Sequence, residues 1–289
     1  MDYKMITKEI RKEIFLTAYS ASIAHIASAF SIVEVMYVLY EQGILKYNSD
    51  NPLDENRDWF ILSKGHGSLA LYYELYKCGF FDKDTLMSFS KSGSVLGGEP
   101  CYPITPGVEC SSGSLGHGLS FAAGVAFSKK SEGRKEKVYC LVGDGECEEG
   151  ATWEALMFAV HNRLDNLIIL VDSNKIQKMD SLEKVIGINS LTPYFKTFGC
   201  DVCEVDGHNV EEIKHCLETE NTSEKPKAVI LNTVKGKGVS IIENNANWHW
   251  RLPKKKELKY FMNELNISEE EIKYAKSLRN GVVRDNQTR

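Results

Sequence analysis

The sequence predicts an α/β protein: a parallel sheet with helices on both faces. Three observations carry that prediction. Several short segments are apolar at nearly every position, as in KVYCLV, NLIILVD and KAVILNTV, which suits strands buried on both sides. These segments alternate with stretches of helical periodicity, as in chains of βαβ units. Two of them end in loop-forming residues, Gly143-Asp144-Gly145 and Asp172-Ser173-Asn174, at the strand ends where such sheets gather ligands.

Taken in order, residues 6–20 place Ile6, Ile10, Ile14 and Phe15 at helical spacing, and a second helix is expected over residues 31–41. The stretch from Phe15 to Tyr40 carries few charges, but His25 and Glu34 interrupt it and serines dilute it. It reads as a buried helical region, neither a membrane span nor a leader. DWFILS reads as a short strand, with HGSLALYYELYKCGF as the helix beside it. Residues 91–112 are rich in Gly, Pro and Ser, and a loop this long inside a globular chain is often functional. Residues 116–129 return to a helix with small residues on one face. Then strands KVYCLV, NLIILVD, CDVCEV and KAVILNTV alternate with helices over residues 149–164, 190–199 and VEEIKHCLE. Residues 1–255 are expected to form the main domain. Residues 256–289 are expected to form a helical extension ending in a disordered polar tail, NGVVRDNQTR.

With 289 residues and 43% hydrophobic content, the chain can bury a core without staples. A net charge of −5 gives no electrostatic reason to bind nucleic acid, and the basic clusters KKSEGRKEK and Lys254–Lys256 read as solvated surface. The eight cysteines are scattered, some in apolar settings such as VYCLV, which fits reduced thiols in the cytoplasm. Cys200 and Cys203 form a lone C-x-x-C inside a strand pattern, with no second pair to complete a zinc site.

Why does LVGDGECEEG stop an apolar run at Gly-Asp-Gly and then concentrate acids? One reading is a turn followed by a helix with an acidic first turn. The other is that Asp144 holds a cation. Mg²⁺ takes oxygen ligands and is commonly held by one or two carboxylates plus substrate phosphates. Asp144, the Asn174 amide and a nearby carbonyl would leave positions for phosphate oxygens. The flanking Gly143 and Gly145 let backbone approach a phosphate near a helix amino terminus.

Gly143-Asp144-Gly145 through Asn174 resembles the thiamine diphosphate motif, and the surrounding segments resemble the amino-terminal half of transketolases. These segments are AHIASAFSIVEVMYVLY, ILSKGH, TPGVECSSGSLGHGLSFAAGVA, GDGECEEGATWEA, DSNKIQ, VDGHNVEEI and VKGKGVSIIENNANWH. They stand in the family's order and span roughly residues 10 to 255. The resemblance implies the thiamine diphosphate-binding fold in its diphosphate-binding form, with Mg²⁺ (or Ca²⁺ or Mn²⁺). It implies metal ligation by Asp144, Asn174 and the Ile176 carbonyl, and diphosphate contact at Gly143 and Gly145. Gly113 and Leu115 would support the thiamine, His66 and His249 would line the diphosphate side and active site, and His25 would stand near the reacting carbon. Glu149, counted with the cofactor-binding residues, and Glu154 would lie at a subunit contact linking two active sites. On the residues alone His25 is a hydrogen-bonded core histidine, and His161, His208 and His215 match no role.

In the family a glutamate on a second, pyrimidine-binding domain completes the cofactor's activation. The resemblance is to split transketolases, so it implies a partner: a carboxyl-terminal subunit in an α2β2 assembly, acting on sugars or sugar phosphates by two-carbon ketol transfer. Alternatives are a decarboxylating component of the 2-oxo acid dehydrogenase or 1-deoxyxylulose synthase type, and a non-catalytic binding subunit. The histidine set and the GSLG segment favour transketolase. The departures fall on the sugar side. Glu99 stands where Gly-His-Pro is usual, Ala24 replaces a glycine, Ala27 and Ala29 differ, His117 replaces a glutamine, and Trp250 follows His249 where glycine is frequent.

Overall fold

Strands apolar on both faces must be covered on both sides. The computed structural model describes residues 2–22 and 25–285, with side chains to Arg279, and shows how this is done. Among the described residues five strands form one parallel sheet: β1 (Trp59–Leu62), β2 (Val138–Gly143), β3 (Leu167–Ser173), β4 (Asp201–Asp206) and β5 (Lys227–Asn232). Their spatial order is β1-β2-β3-β5-β4.

The helices divide between the faces. One face takes Tyr139, Leu141, Ile168, Leu170, Val229 and Leu231 into a core with α1 (Tyr3–Ala21), α2 (Ile26–Phe30), α3 (Val33–Tyr40), α4 (Ser68–Lys77) and α10 (Val210–Glu218). The other takes Cys140, Val142, Ile169, Val171, Ala228 and Ile230 against α6 (His117–Ser131), α7 (Gly150–His161) and α9 (Thr192–Phe198). Alternate residues of one strand thus feed opposite cores, as the unbroken apolar runs require. β4 is the exception. At the sheet edge it is only half-buried, which is why CDVCEV alternates.

Two expectations change. The helix expected over residues 31–41 runs Val33–Tyr40 and follows the separate short α2, so the buried region is two helices with a break at Ser31–Ile32. The expected disordered tail is in part wrong: after α11 (Leu258–Glu264), α12 runs Glu269–Asp285, taking in NGVVRD. Three glutamates in its first turn suit the helix dipole. Ile272 and Ala275 are buried in the α1-side core, and Lys12 pairs with Glu271 at 2.6 Å. The short α5 (Lys83–Met87) and α8 (Leu182–Ile186) carry too few residues to show a period. Ala24 lies outside the described residues. No described helix is long and apolar enough to cross a membrane.

Inside the α1–α4 layer, Glu74 is fully buried and neither carboxyl oxygen has a hydrogen-bond partner among the described residues. Burial, aided by Glu41, pushes its pKa well above the carboxylate range. A carboxyl raised this way stabilises the fold fully only below its unfolded pKa; stability falls as pH climbs toward the folded value. Glu74→Met is therefore expected to exceed the wild type by about 1–3 kcal/mol at pH 8, with the gap shrinking toward pH 5. Urea denaturation at both pH values checks this, and a pH-independent difference would contradict it.

Candidate functional site

The site is built at the carboxyl edge of the sheet. Register pairs Gly143 with Asp172 and Ser173 with Asn232, so the loops after β2, β3 and β5 leave at one level. The adjacency expected of Asp144 and Asn174 is present. The Lys175 N–H donates to the Asp144 carboxylate, and the Asp144 N–H donates to the Asp172 carbonyl at 3.2 Å.

Beneath this edge lies a buried charge pair. Lys64, just past β1, contacts Asp172 near the end of β3, and both side chains are essentially unexposed. Asp172 also accepts from Ser31 Oγ at 2.7 Å, from Asn174 Nδ2 at 2.9 Å and from Thr233 Oγ1. Lys64 donates to the Ser28 carbonyl at 3.1 Å. Burial works against ionising Asp172, but Lys64 and these hydrogen bonds outweigh it and hold the pKa below its ordinary value. The pair ties α2, β1, β3 and the loop after β5 to one point.

Above it opens a cleft of about 310 Å³. Of the residues singled out in the sequence, Asp144, Asn174, Ile176, Gly143 and Gly145 line it. So do Gly113, Leu115, His25, His66 and His249. Glu149 is exposed outside it, with its side chain against Gly116, and Glu154 is exposed on α7. Asn174 Oδ1 accepts from the Ile176 N–H at 3.1 Å, and the Ile176 carbonyl accepts from Lys235 Nζ at 2.8 Å. Gly113 has φ 120°, and a Cβ there would collide with the Glu99 carboxylate, which also faces the cleft. Only glycine suits that backbone and that contact together.

The three histidines form a triangle, with ring centroids 5.3 to 5.8 Å apart, and Trp250 stands edge-on to His25 at 4.1 Å. Burial, then the Lys235 ammonium, lowers His25 and His249 to about 4. Burial and Lys64 lower His66 well below its ordinary value. All three rings are thus neutral at neutral pH. Lys235 donates to His249 Nδ1 at 3.1 Å, which leaves the His249 proton on Nε2. Lys235 itself is lowered to about 8 by burial and Lys64. Asp144 moves the other way: burial and the Asp172 charge raise it to about 6.

Sequence reasoning missed Lys64, Asp172 and Lys235, and also Glu146. Glu146 accepts from the Gly116 and Gly143 N–H groups at 2.8 and 3.0 Å and from Ser63. A lysine directly after one apolar strand and an aspartate closing another was the available signal, because buried charges need partners. His117 is exposed, with Nδ1 3.2 Å from Ser114 Oγ.

Fold and cleft together define an α/β protein that gathers oxygen donors, lysines and neutral histidines at adjoining strand ends, in the manner of a cofactor-binding domain. The chain belongs to the transketolase family: residues 4–276 match its thiamine diphosphate binding domain. Similar relatives include one of the subunits of the apulose-4-phosphate transketolase of Actinobacillus succinogenes, 38% identical over 88% of this chain and 92% of that one. The 6-deoxy-6-sulfo-D-fructose transketolase subunit SqwG of a Clostridium species is 36% identical over 83% and 87%. A transketolase crystal structure from Campylobacter jejuni superposes with a TM-score of 0.84 at 28% identity, covering 97% of this chain and 47% of that one. The chain thus spans about half of that transketolase.

Removing one member of the buried pair should expose its cost. Lys64→Met is expected to lose ~3–5 kcal/mol of stability, since it strands the Asp172 charge. Adding Asp172→Asn to that variant should restore much of the loss. Urea denaturation of the two single variants and the double decides it; strictly additive losses would contradict the pairing.

Proposed function

We propose that this chain is the amino-terminal subunit of a two-chain transketolase. It moves a two-carbon ketol unit from a ketose donor to an aldose acceptor and works only with a separate carboxyl-terminal subunit. The observation that carries the reading is the grouping of Asp144, Asn174 and the Ile176 carbonyl beside Lys235 and three neutral histidines.

The donor set fits a hard divalent cation. Asp144 is buried with its proton affinity raised by burial and the Asp172 charge, so a cation beside it is favoured, and the Lys235 ammonium already sits on the Ile176 carbonyl. Oxygen donors including one full carboxylate suit Mg²⁺, and Ca²⁺ or Mn²⁺ take the same donors. Asp144 and Asn174 would hold the ion by side chains and Ile176 by its carbonyl. Gly143, Gly145, His66 and Lys235 would meet the diphosphate, and Gly113 and Leu115 the thiamine. Bound there, thiamine diphosphate supplies the electron sink that lets a carbon–carbon bond beside a carbonyl break and re-form.

This chain's residues then manage position and protons. His25, neutral at working pH, can take a proton from a sugar hydroxyl and return it. His249 keeps its proton on Nε2 because Nδ1 is occupied by Lys235, so Nε2 acts as a donor to a substrate oxygen. Glu99 puts a carboxylate on the cleft wall and sets which sugars fit. Residues 1–255 carry the site, and α11 and α12 serve as an extension packed on α1.

Two observations support a partner. Relatives of nearly the same length are named as subunits, and the chain spans about half of the Campylobacter jejuni transketolase. The outer faces of α6 and α7 leave Phe121, Phe127, Met157 and Phe158 exposed, with the Phe127 and Phe158 rings 5.5 Å apart. Exposed aromatic and methionine side chains on α6 and on α7, which carries Glu154, are what an obligate interface buries. We take the partner to be the pyrimidine-binding half, in an α2β2 complex in the cytoplasm.

The test is co-purification with that half, followed by a panel of ketose donors and aldose acceptors. The complex is expected to turn over with Mg²⁺ and thiamine diphosphate, and this chain alone is not. Asp144→Ala should lose at least ~100-fold in kcat/KM with the complex intact. Turnover by the single chain, unchanged turnover by Asp144→Ala, or CO₂ release from pyruvate would each overturn the reading.

A further inference from the structure

The DGH segment at the end of β4 has no part in the site as described. Its histidine is nevertheless wired to it. His208 Nε2 accepts the Val234 N–H at 2.8 Å, so the ring's proton sits on Nδ1, which faces Glu34 Oε2 at 2.8 Å. Glu34 is buried in the first turn of α3 and is gripped at both oxygens by Arg11 of α1, each contact 2.7 Å. Arg11 is anchored in turn on the Phe30 carbonyl at 2.9 Å. Arg11 of α1 and Glu34 of α3, neither lining the cleft, thus fix one tautomer and one orientation of an imidazole.

That imidazole holds a loop in which four consecutive residues are tied. Thr233 bonds Asp172, Val234 bonds His208, and Lys235 bonds the Ile176 carbonyl and His249. The Gly236 N–H donates to the Ala27 carbonyl at 3.0 Å. Gly236 has φ 78°, and a Cβ there would come within 2.7 Å of the Ile242 carbonyl oxygen, so the turn has little room to adjust. Among these contacts, the Val234 amide is the one held by a side chain from the loop after β4.

We propose that His208 is a positioning residue: locked by the Arg11–Glu34 pair, it fixes the Val234 amide and so aims Lys235 at the Ile176 carbonyl and the His249 ring. This rests on the reading above that Lys235 and Ile176 face the diphosphate and its metal. A purely structural role would cost stability and leave the Lys235 contacts alone. A positioning role makes the effects of His208 and Lys235 overlap, because one acts through the other.

The experiment uses the two-chain complex with H208F, K235M and the double variant, titrated with thiamine diphosphate in Mg²⁺. H208F is expected to weaken cofactor affinity about tenfold, in the range found for groups that orient a ligand without touching it. The double variant should be no weaker than the weaker single. H208Q, which keeps an acceptor for the Val234 N–H, should recover most of the affinity, and H208L, which removes the acceptor as H208F does, stands in should H208F not fold. Affinity within twofold of wild type in H208F, or fully additive losses, would overturn the proposal. A second readout needs no cofactor. In the complex carrying ¹⁵N-histidine in this chain only, H208F should shift the His249 ring nitrogens as Lys235 leaves Nδ1 while H208Q leaves them near their wild-type positions, and unshifted signals in H208F would overturn the proposal. Should the wild-type complex bind no thiamine diphosphate, the functional reading fails, and the nitrogen shifts alone then decide the role of His208.

Discussion

The contact between Lys64 and Asp172 is the constraint on which the rest depends. It lies at the carboxyl edge of a sheet whose strands are otherwise apolar. A buried ion pair is costly to assemble and tolerates no missing partner. Here every polar neighbour has been recruited: Ser28 and Ser31 from α2, Thr233 after β5 and Asn174 after β3. Because Asn174 is among them, holding Asp172 ionised also holds the Asn174 amide in one orientation, with its oxygen turned toward the Ile176 N–H. A pocket whose donors are fixed before anything binds loses little on binding.

The electrostatics of the cleft follow from that arrangement. Burial first, and then Lys64 and Lys235, press the three histidines toward their neutral forms. Neutral imidazoles can take up and return protons during a reaction, whereas imidazolium could only donate. The same lysines favour an anionic ligand, while burial, then the Asp172 charge, raises Asp144 against the pull of Lys64, so a further cation beside it is favoured. A dianion-bearing cofactor together with a divalent cation answers both demands, and neither alone does. The Arg11–Glu34–His208 chain extends this logic outward, coupling α1 and α3 to the loop that carries Lys235.

Much of this was legible in the sequence, for physical reasons. The unbroken apolar runs announced a doubly covered parallel sheet, and the register that sets Gly143 level with Asp172 followed from it. So did the closeness of Asp144 and Asn174. What the sequence hid were pairings that only three dimensions make. Lys64 looked like an ordinary residue in a loop, and Glu34 like a polar interruption of α3, until their partners 108 and 23 positions away came into view. The last helix was expected, but its continuation into NGVVRD escaped because polar residues dominate that stretch. Glu149 was grouped with the cofactor by resemblance, yet it stands outside the cleft, exposed at the start of α7 with its side chain against Gly116.

The central claim is that two adjoining strand ends are pre-shaped to hold a divalent ion between an acid, an amide and a carbonyl. Anomalous diffraction from crystals of the two-chain complex grown with Mn²⁺ and thiamine diphosphate addresses it most directly. One strong manganese peak is expected within ligating distance of Asp144, Asn174 and the Ile176 carbonyl. Bound cofactor with the manganese elsewhere, or with those three groups turned away from it, would contradict the claim.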